Sequence, residues 1–249
     1  MTPTTGGMHV TTWGAGPRAV LVHGGGAGGV AAFAGQRPLA QDYELVLPDR
    51  PGAGGTPAQG PQDAERDGGL IADLLAELGG EGAHLVGHSY GAVAVMVGAA
   101  LRPQLVRSLT LIEPPVFHLA ADDPVVRDQQ IRLVDAIADP DPSRRVQRFF
   151  VAAGLASHVP APLPPPLHHL AAELQSMRPP WDVPLDLPAL RQLDIPKTVV
   201  SGGHSDAVDR LAVRLALGID ADHVVLPGAG HAVQDTGRPF NALLRKVWS

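Results

Sequence analysis

Short apolar runs recur along the chain and predict seven β-strands. Each run ends in glycine, proline or a charged residue. The runs are MHVTTW (8–13), RAVLVHG (18–24), YELVLPD (43–49), AHLVGHS (83–89), SLTLIEP (108–114), KTVVSGG (197–203) and DHVVLPG (222–228). Runs such as Ala19-Val20-Leu21-Val22 are apolar at every position, which is typical of strands buried on both faces of a parallel sheet.

Helix-like segments lie between several of these strands. The leucines of DAERDGGLIADLLAEL (63–78) recur at helical spacing with charges opposite, and GAVAVMVGAALRP (91–103) is small and apolar all round. DAVDRLAVRLAL (206–217) and RPFNALLRKVW (238–248) are amphipathic. Strands that alternate with helices predict an α/β fold with a mostly parallel central sheet.

The segment from Pro115 to Ile195 breaks this alternation. It contains no convincing strand, and its pattern predicts helices near 123–138, 143–153 and 166–178, joined by proline-rich stretches such as VPAPLPPP (159–166). We interpret residues 115–194 as a helical cap laid over a core formed by residues 1–114 and 195–249.

Composition narrows the classes of partner. The 249 residues are 45% hydrophobic and 18% charged, as in soluble globular proteins. A net charge of -6 gives no electrostatic reason to expect nucleic acid or an anionic membrane as a partner. The absence of cysteine excludes disulfides and thiolate sites. With no signal-like start and no membrane-length apolar run, a cytoplasmic protein is predicted. No surface helix demands a partner, so monomer and homodimer both stay open.

Gly-His-Ser occurs twice, and the surroundings of the two serines differ. Ser89, in GHSYG, lies between a predicted strand and a helix of small residues. A serine on such a turn is held in a strained conformation with its hydroxyl clear of the sheet, which is typical of a nucleophile. Ser205 is followed by Asp206-Ala207 and is interpreted as a loop residue.

A serine nucleophile needs a histidine base and a carboxylate that orients the histidine. His231, in LPGAGHAVQD, follows the last predicted strand on a glycine-rich loop. Asp206 follows the preceding strand and is the favoured acid, while Glu113, at the end of SLTLIEP, is the alternative acid. His88 is interpreted as a support for the turn.

Backbone amides must also stabilise the oxyanion. The loop VHGGGAGG (22–29) allows close approach of its backbone to a ligand, and the N–H of Tyr90 is the second candidate donor. Nucleotide binding is disfavoured, because the loop matches no phosphate-binding fingerprint and Asp49, in PDRPGAGG, is not in the context of a ribose-binding acid.

HGGG, PDRPGAGGT, GHSYG, the carboxylate after VVSGG and GAGH together resemble the α/β-hydrolase superfamily over nearly the whole chain. The resemblance implies an α/β-hydrolase fold with a helical cap inserted after the sixth strand. It places the nucleophile, acid and base at Ser89, Asp206 and His231, in the chain order usual for this fold. It assigns the oxyanion loop to Gly25 or Gly26. Ala92 stands where the family often has a second glycine.

These features predict a cofactor-free serine hydrolase acting on an ester, thioester or lactone of a small apolar acyl substrate. No metal is expected, because no H-E-x-x-H or comparable cluster is present. Two alternatives stay open: a lyase or biosynthetic catalyst that uses the triad for proton transfer, and a ligand-binding protein with slow turnover.

Overall fold

A single mixed sheet forms the centre of the molecule. The computed structural model describes residues 4–5, 7–156 and 158–249. The strands in these ranges are β1 (Thr4–Thr5), β2 (Met8–Trp13), β3 (Arg18–Val22), β4 (Glu44–Pro48), β5 (Ala83–His88), β6 (Val106–Ile112), β7 (Lys197–Ser201) and β8 (Asp222–Val225). Their order is β1-β2-β4-β3-β5-β6-β7-β8. β2 is antiparallel to both of its neighbours, and the other pairs are parallel. All seven predicted strands are confirmed.

Helices connect the strands and cover the sheet. They are α1 (Gly29–Ala32), α2 (Ala64–Leu78), α3 (Tyr90–Leu101), α4 (Pro124–Ile137), α5 (Pro142–Ala152), α6 (Pro165–Ser176), α7 (Leu187–Arg191), α8 (Asp206–Ile219) and α9 (Arg238–Trp248). Short 3₁₀ helices cover Ala34–Gln41, Pro103–Leu105, Phe117–Ala120, Pro180–Asp182 and Val233–Thr236. The α/β fold class inferred from the sequence is confirmed.

Strand β3 shows why the central runs are apolar throughout. Val20 and Val22 pack in the core on one face, with side chains of α2, α3 and α8. Ala19 and Leu21 belong to the core on the opposite face, with Phe240 of α9. Because successive side chains of a strand point to opposite faces, a strand covered on both sides buries every residue.

The segment between β6 and β7 is helical in its described part. α4 and α5 each begin at proline, and the preceding Asp123 and Asp141 accept hydrogen bonds from first-turn amides. Aspartate at the N-cap and proline at the first position are strong helix-start signals. The helices pack on one another and on α8. If the two-residue strand β1 is counted, these helices follow the sixth strand of the sheet. Their role as a cap stays a prediction.

Of the described helices, none is long and apolar enough to cross a membrane.

Candidate active site

Ser89 occupies the sharp turn between β5 and α3. Its backbone has φ 52° and ψ -122°, in the left-handed region that a residue other than glycine rarely adopts. The Ser89 N–H donates to Ile112 O of the neighbouring strand over 2.8 Å, which fixes the turn against the sheet. A strained serine held in this way matches the geometry of a nucleophile elbow.

The glycines on either side of Ser89 are required by close backbone packing. A Cβ on Gly91 would lie 2.4 Å from His23 O and 2.5 Å from Val22 O. A Cβ on Gly87 would lie 2.6 Å from Ala92 Cα. These distances are shorter than any real carbon contact, so the spacing of small residues in GHSYG follows from the fit of α3 against β3 at Gly91 and against β5 at Gly87.

His231 is paired with Glu113. The two atoms His231 Nδ1 and Glu113 Oε2 are 3.3 Å apart. Glu113 Oε1 accepts a 2.6 Å hydrogen bond from Gly202 N, at the end of β7. Glu113 itself has φ 51°, and its carboxylate is fully buried. The carboxylate is therefore held from the adjacent strand in the position of an orienting acid.

Asp206 does not occupy that position, and the preference for it over Glu113 is corrected by the geometry. Asp206 is exposed and begins α8, where its charge acts on Arg210. Four residues separate it from the end of β7. Glu113 directly follows β6, whose Ile112 pairs with Val200 of β7, so its side chain stays at the edge where His231 lies.

Burial shifts the acid–base properties of this pair. It raises the pKa of Glu113 to about 7, while the Gly202 N–H and nearby His204 act in the opposite direction. Burial also lowers the pKa of His231 to about 4, with a smaller effect from His204. His231 is therefore neutral at pH 7, as a general base must be, and its side chain keeps 23% exposure toward the cavity.

His88 and Gln234 hold the loop that carries His231. His88 Nε2 lies 3.0 Å from His231 O, and His88 Nδ1 lies 3.3 Å from Gln234 Nε2. Burial lowers the pKa of His88 to about 3, so the ring is neutral, with Nε2–H donating and Nδ1 accepting. His88 thus supports the base loop as well as the turn. Sequence reasoning missed Gln234, which carries no motif.

The glycine-rich loop that was assigned to the oxyanion is braced by Asp49 and Arg50. Asp49 accepts hydrogen bonds from Gly29 N and Gly55 N. Buried Arg50 donates through Nε to His23 O and through Nη2 to Gly24 O. This bracing is the structural role of PDRPGAGG, and sequence reasoning missed it. Both carboxylate oxygens of Asp49 accept hydrogen bonds from the backbone, whereas the acid of a ribose-binding site must offer its oxygens to the ribose hydroxyls.

The predicted oxyanion donors surround the same cavity. Gly25, Gly26 and Tyr90 line it together with Ser89 and His231. Tyr90 is the first residue of α3, and first-turn amides have no acceptor within their own helix. The N–H of Tyr90 is thus suitably placed in the chain to serve a ligand. Their role as the oxyanion hole stays a prediction.

Ser205 lies outside this arrangement. Its hydroxyl donates to Gln129 Oε1 of α4 over 3.0 Å, and it precedes the first turn of α8. This contact links the loop after β7 to the helical segment, in agreement with the interpretation of Ser205 as a loop residue.

An apolar cavity of about 300 Å³ lies in front of Ser89. Apolar side chains of the helical segment between β6 and β7 and of α8 line its wall, among them Leu133, Phe149, Phe150, Leu167, Leu170, Leu174, Met177, Trp181 and Leu211. Val125 and Ile131 of α4 face solvent, and Leu119 packs against the main core. The volume is at the small end of ligand pockets, which suits a compact apolar group.

A mostly parallel sheet, a serine elbow and a histidine–carboxylate pair at the carboxyl edge define the α/β-hydrolase class. Residues 19–243 match the model of the Alpha/beta hydrolase family, and the chain belongs to that family. The resemblance inferred from the motifs is confirmed.

Among curated proteins, the chain is similar to two pimeloyl-[acyl-carrier protein] methyl ester esterases. It is 27% identical over 151 residues to that of Aeromonas hydrophila, covering 60% of this chain and 59% of the relative. It is 39% identical over 106 residues to that of Chromobacterium violaceum, covering 42% of this chain and 40% of the relative. The chain thus matches less than two thirds of the length of each.

Solved structures share the fold at low identity. An α/β hydrolase from Sphaerobacter thermophilus has a TM-score of 0.70 at 24% identity, covering 97% of this chain and 96% of that one. The meta-cleavage product hydrolase of Pseudomonas fluorescens has a TM-score of 0.68 at 19% identity, covering 98% and 96%. At these identities the likeness supports the fold alone.

Proposed function

We propose that the protein is a serine hydrolase that cleaves an ester, thioester or lactone of a small apolar substrate through an acyl-enzyme on Ser89. The observation that carries the proposal is the contact of His231 with buried Glu113 beside the strained Ser89, at the end of an apolar cavity. The names of the curated relatives, methyl ester esterases, favour an ester with a small alcohol as the first substrate class to test.

In the first half-reaction, Ser89 Oγ attacks the acyl carbonyl carbon. His231 Nε2 takes the hydroxyl proton, and Glu113 stabilises the imidazolium through Nδ1. The amides of Tyr90 and of Gly25 or Gly26 stabilise the oxyanion. Collapse breaks the bond to the leaving group, which receives the proton from His231, and leaves the acyl group on Ser89.

In the second half-reaction, water replaces the leaving group. His231, now neutral again, takes a proton from water, and the hydroxide attacks the same carbonyl carbon. Collapse of the second intermediate breaks the bond to Ser89 Oγ, and His231 returns the proton to that oxygen. The carboxylic acid leaves and releases its proton to bulk water, and the free enzyme is restored.

The first test is intact mass after exposure to a fluorophosphonate probe. Wild type should gain one adduct, since activated Ser89 Oγ displaces fluoride from phosphorus, and Ser89→Ala should gain none. A Ser205→Ala variant is the matched control and should label like wild type. An adduct that survives Ser89→Ala, or absence of an adduct on folded wild type, would contradict the assignment.

Hydrolysis itself requires a second measurement. A panel of p-nitrophenyl and methyl esters of increasing acyl length should show turnover in wild type that is lost in Ser89→Ala. In ¹⁸O-labelled water, the acid product should carry one labelled oxygen. Products without label would favour the lyase alternative, and saturable binding without turnover would favour the binding protein.

A further inference from the structure

A third side chain, His204, lies against the Glu113–His231 pair. His204 Nδ1 is 3.7 Å from Glu113 Oε2, the same oxygen that His231 Nδ1 approaches to 3.3 Å. The rings of His204 and His231 are 6.0 Å apart between centroids and nearly perpendicular. Two histidines thus converge on one carboxylate oxygen, whereas orientation of the base needs only one.

The nitrogens of His204 have no hydrogen-bond partner among the described residues. Both are buried, and the side chain as a whole is only 13% exposed. His204 Nε2 lies on the side of Gly154: a Cβ added to that glycine would be 3.5 Å from it. His204 Nδ1 is therefore the nitrogen next to Glu113. A buried polar group without a partner costs free energy, so this arrangement needs an explanation.

We propose that Glu113, His204 and His231 form a site for a divalent cation of the zinc type, and that a cation bound there inhibits the enzyme reversibly. One ligand atom from each residue lies within 4.8 Å of the other two. Imidazole nitrogen and carboxylate oxygen are the donors that zinc prefers when no thiolate is available. Binding of the cation does not depend on the proposed function, whereas the inhibition rests on it.

Side-chain movements would complete the coordination, since the ligand atoms of all three residues already lie within 4.8 Å of one another. Tetrahedral bonds of about 2.0–2.1 Å separate the ligand atoms by roughly 3.3 Å. The contact between Glu113 and His231 already has that length, and the contact between Glu113 and His204 is 0.4 Å longer. Glu113 Oε1 stays bound to Gly202 N, so Oε2 is the oxygen offered. The fourth position would face the cavity that His231 and Glu113 line, through which the ion and a water molecule can enter.

The charge of the surroundings also favours a cation. The Glu113 carboxylate contributes a negative charge to the three-residue group when it is ionised. Asp209, whose Oδ1 is buried without a hydrogen-bond partner, acts electrostatically on Glu113 from α8. The sequence predicted no metal site because its ligands come from three separate loops, and only the fold brings them together.

Metal binding and base catalysis exclude each other at His231. As a base, His231 carries a proton on Nδ1, shared with Glu113, and presents the lone pair of Nε2 to Ser89. As a ligand through Nδ1, it must carry the proton on Nε2 and cannot accept the proton of Ser89. The zinc form should therefore neither turn over substrate nor label rapidly with fluorophosphonate.

Zinc chloride on the EDTA-treated full chain tests the proposal. Isothermal calorimetry should give one zinc per wild-type chain, and ester hydrolysis should be inhibited by zinc, restored by EDTA and unaffected by magnesium. His204→Gln should weaken zinc affinity and inhibition by more than the roughly 10- to 100-fold that loss of an outer-shell partner costs. Exposed His158→Gln is the matched control and should behave like wild type. Each variant is scored against its own metal-free rate.

Two further measurements separate the possible failures. Ser89→Ala should bind zinc like wild type, so the site can be tested even if no substrate is found. X-ray absorption of zinc-loaded wild type should show two imidazoles, which needs no variant to fold. The proposal is overturned if wild type binds no zinc, if His204→Gln binds it equally well, or if fewer than two imidazoles are seen.

Discussion

Replacing Glu113 should show most sharply whether Glu113 or Asp206 is the acid that orients His231. In the Glu113→Gln variant, Gly202 N–H can still donate to the side-chain oxygen that replaces Oε1. The new amide would then face His231 Nδ1 as a donor. This forces the proton of the neutral imidazole onto Nε2, the wrong tautomer for accepting a proton from Ser89. The variant also loses the negative charge that stabilises the imidazolium.

The expected size of the effect follows from the 3.3 Å separation of His231 Nδ1 and Glu113 Oε2. Two unit charges at that distance interact by about 5 kcal/mol at an effective dielectric constant of about 20. At about 1.4 kcal/mol per tenfold, this corresponds to a loss of roughly 10³ to 10⁴ in kcat. Removal of the acid from other Ser-His-Asp triads costs about 10⁴, which agrees.

The assay is kcat on the best ester of the panel for wild type, Glu113→Gln and Asp206→Asn. Asp206 is exposed, and a surface substitution changes free energies by about 0.5 kcal/mol, so its variant should stay within about threefold of wild type. Thermal unfolding checks that all three proteins fold. A large loss in Asp206→Asn, with less than tenfold loss in Glu113→Gln, would refute the assignment of Glu113 as the acid.

Four further outcomes are expected. Because Glu113 must be ionised to act and burial raises its pKa to about 7, wild-type kcat/KM should rise with pH through about 7; a profile already flat from pH 5 would contradict this. The same raised pKa means that Glu113 binds an extra proton in the native state between about pH 4.5 and 7, so the contribution of this group to stability is lost as pH rises. Glu113→Gln should therefore gain about 2.5 kcal/mol relative to wild type between pH 5 and pH 8 in denaturant titrations, and equal pH dependence of the two proteins would count against it. In Gly91→Ala, the new Cβ would meet His23 O at 2.4 Å, so this variant should lower the free energy of unfolding by at least about 3 kcal/mol. Ala92→Gly, the neighbouring control, should cost only about 0.5–1 kcal/mol. Similar melting temperatures for the two variants would show that the turn can relax. Phe150→Ala should enlarge the cavity and move the preferred ester toward longer acyl chains, while the exposed neighbour Val151→Ala should leave the preference unchanged; an identical chain-length profile in all three proteins would remove Phe150 from the acyl pocket.

The sequence by itself determined the elements and the strained turn at Ser89. Strands buried on both faces are apolar at every position, so their runs are visible without a structure, and β3 is the clearest case. The elbow at Ser89 is equally visible, because the close fit of α3 on β3 admits only glycine at Gly91. These are local consequences of residue type, and the predicted boundaries differ from the observed ones by only a few residues.

Only the tertiary structure decided which of the two carboxylates lies next to His231. Glu113 and Asp206 both follow strands whose carboxyl ends lie at one edge of the sheet, so the sequence presents two carboxylates in similar positions. The two carboxylates differ in their surroundings. Glu113, at φ 51°, directly follows β6 and is bound by Gly202 N, whereas Asp206 lies four residues beyond the end of β7 and is exposed. The cavity wall and the approach of His204 to Glu113 depend on similar long-range packing, which residue patterns along the chain do not encode.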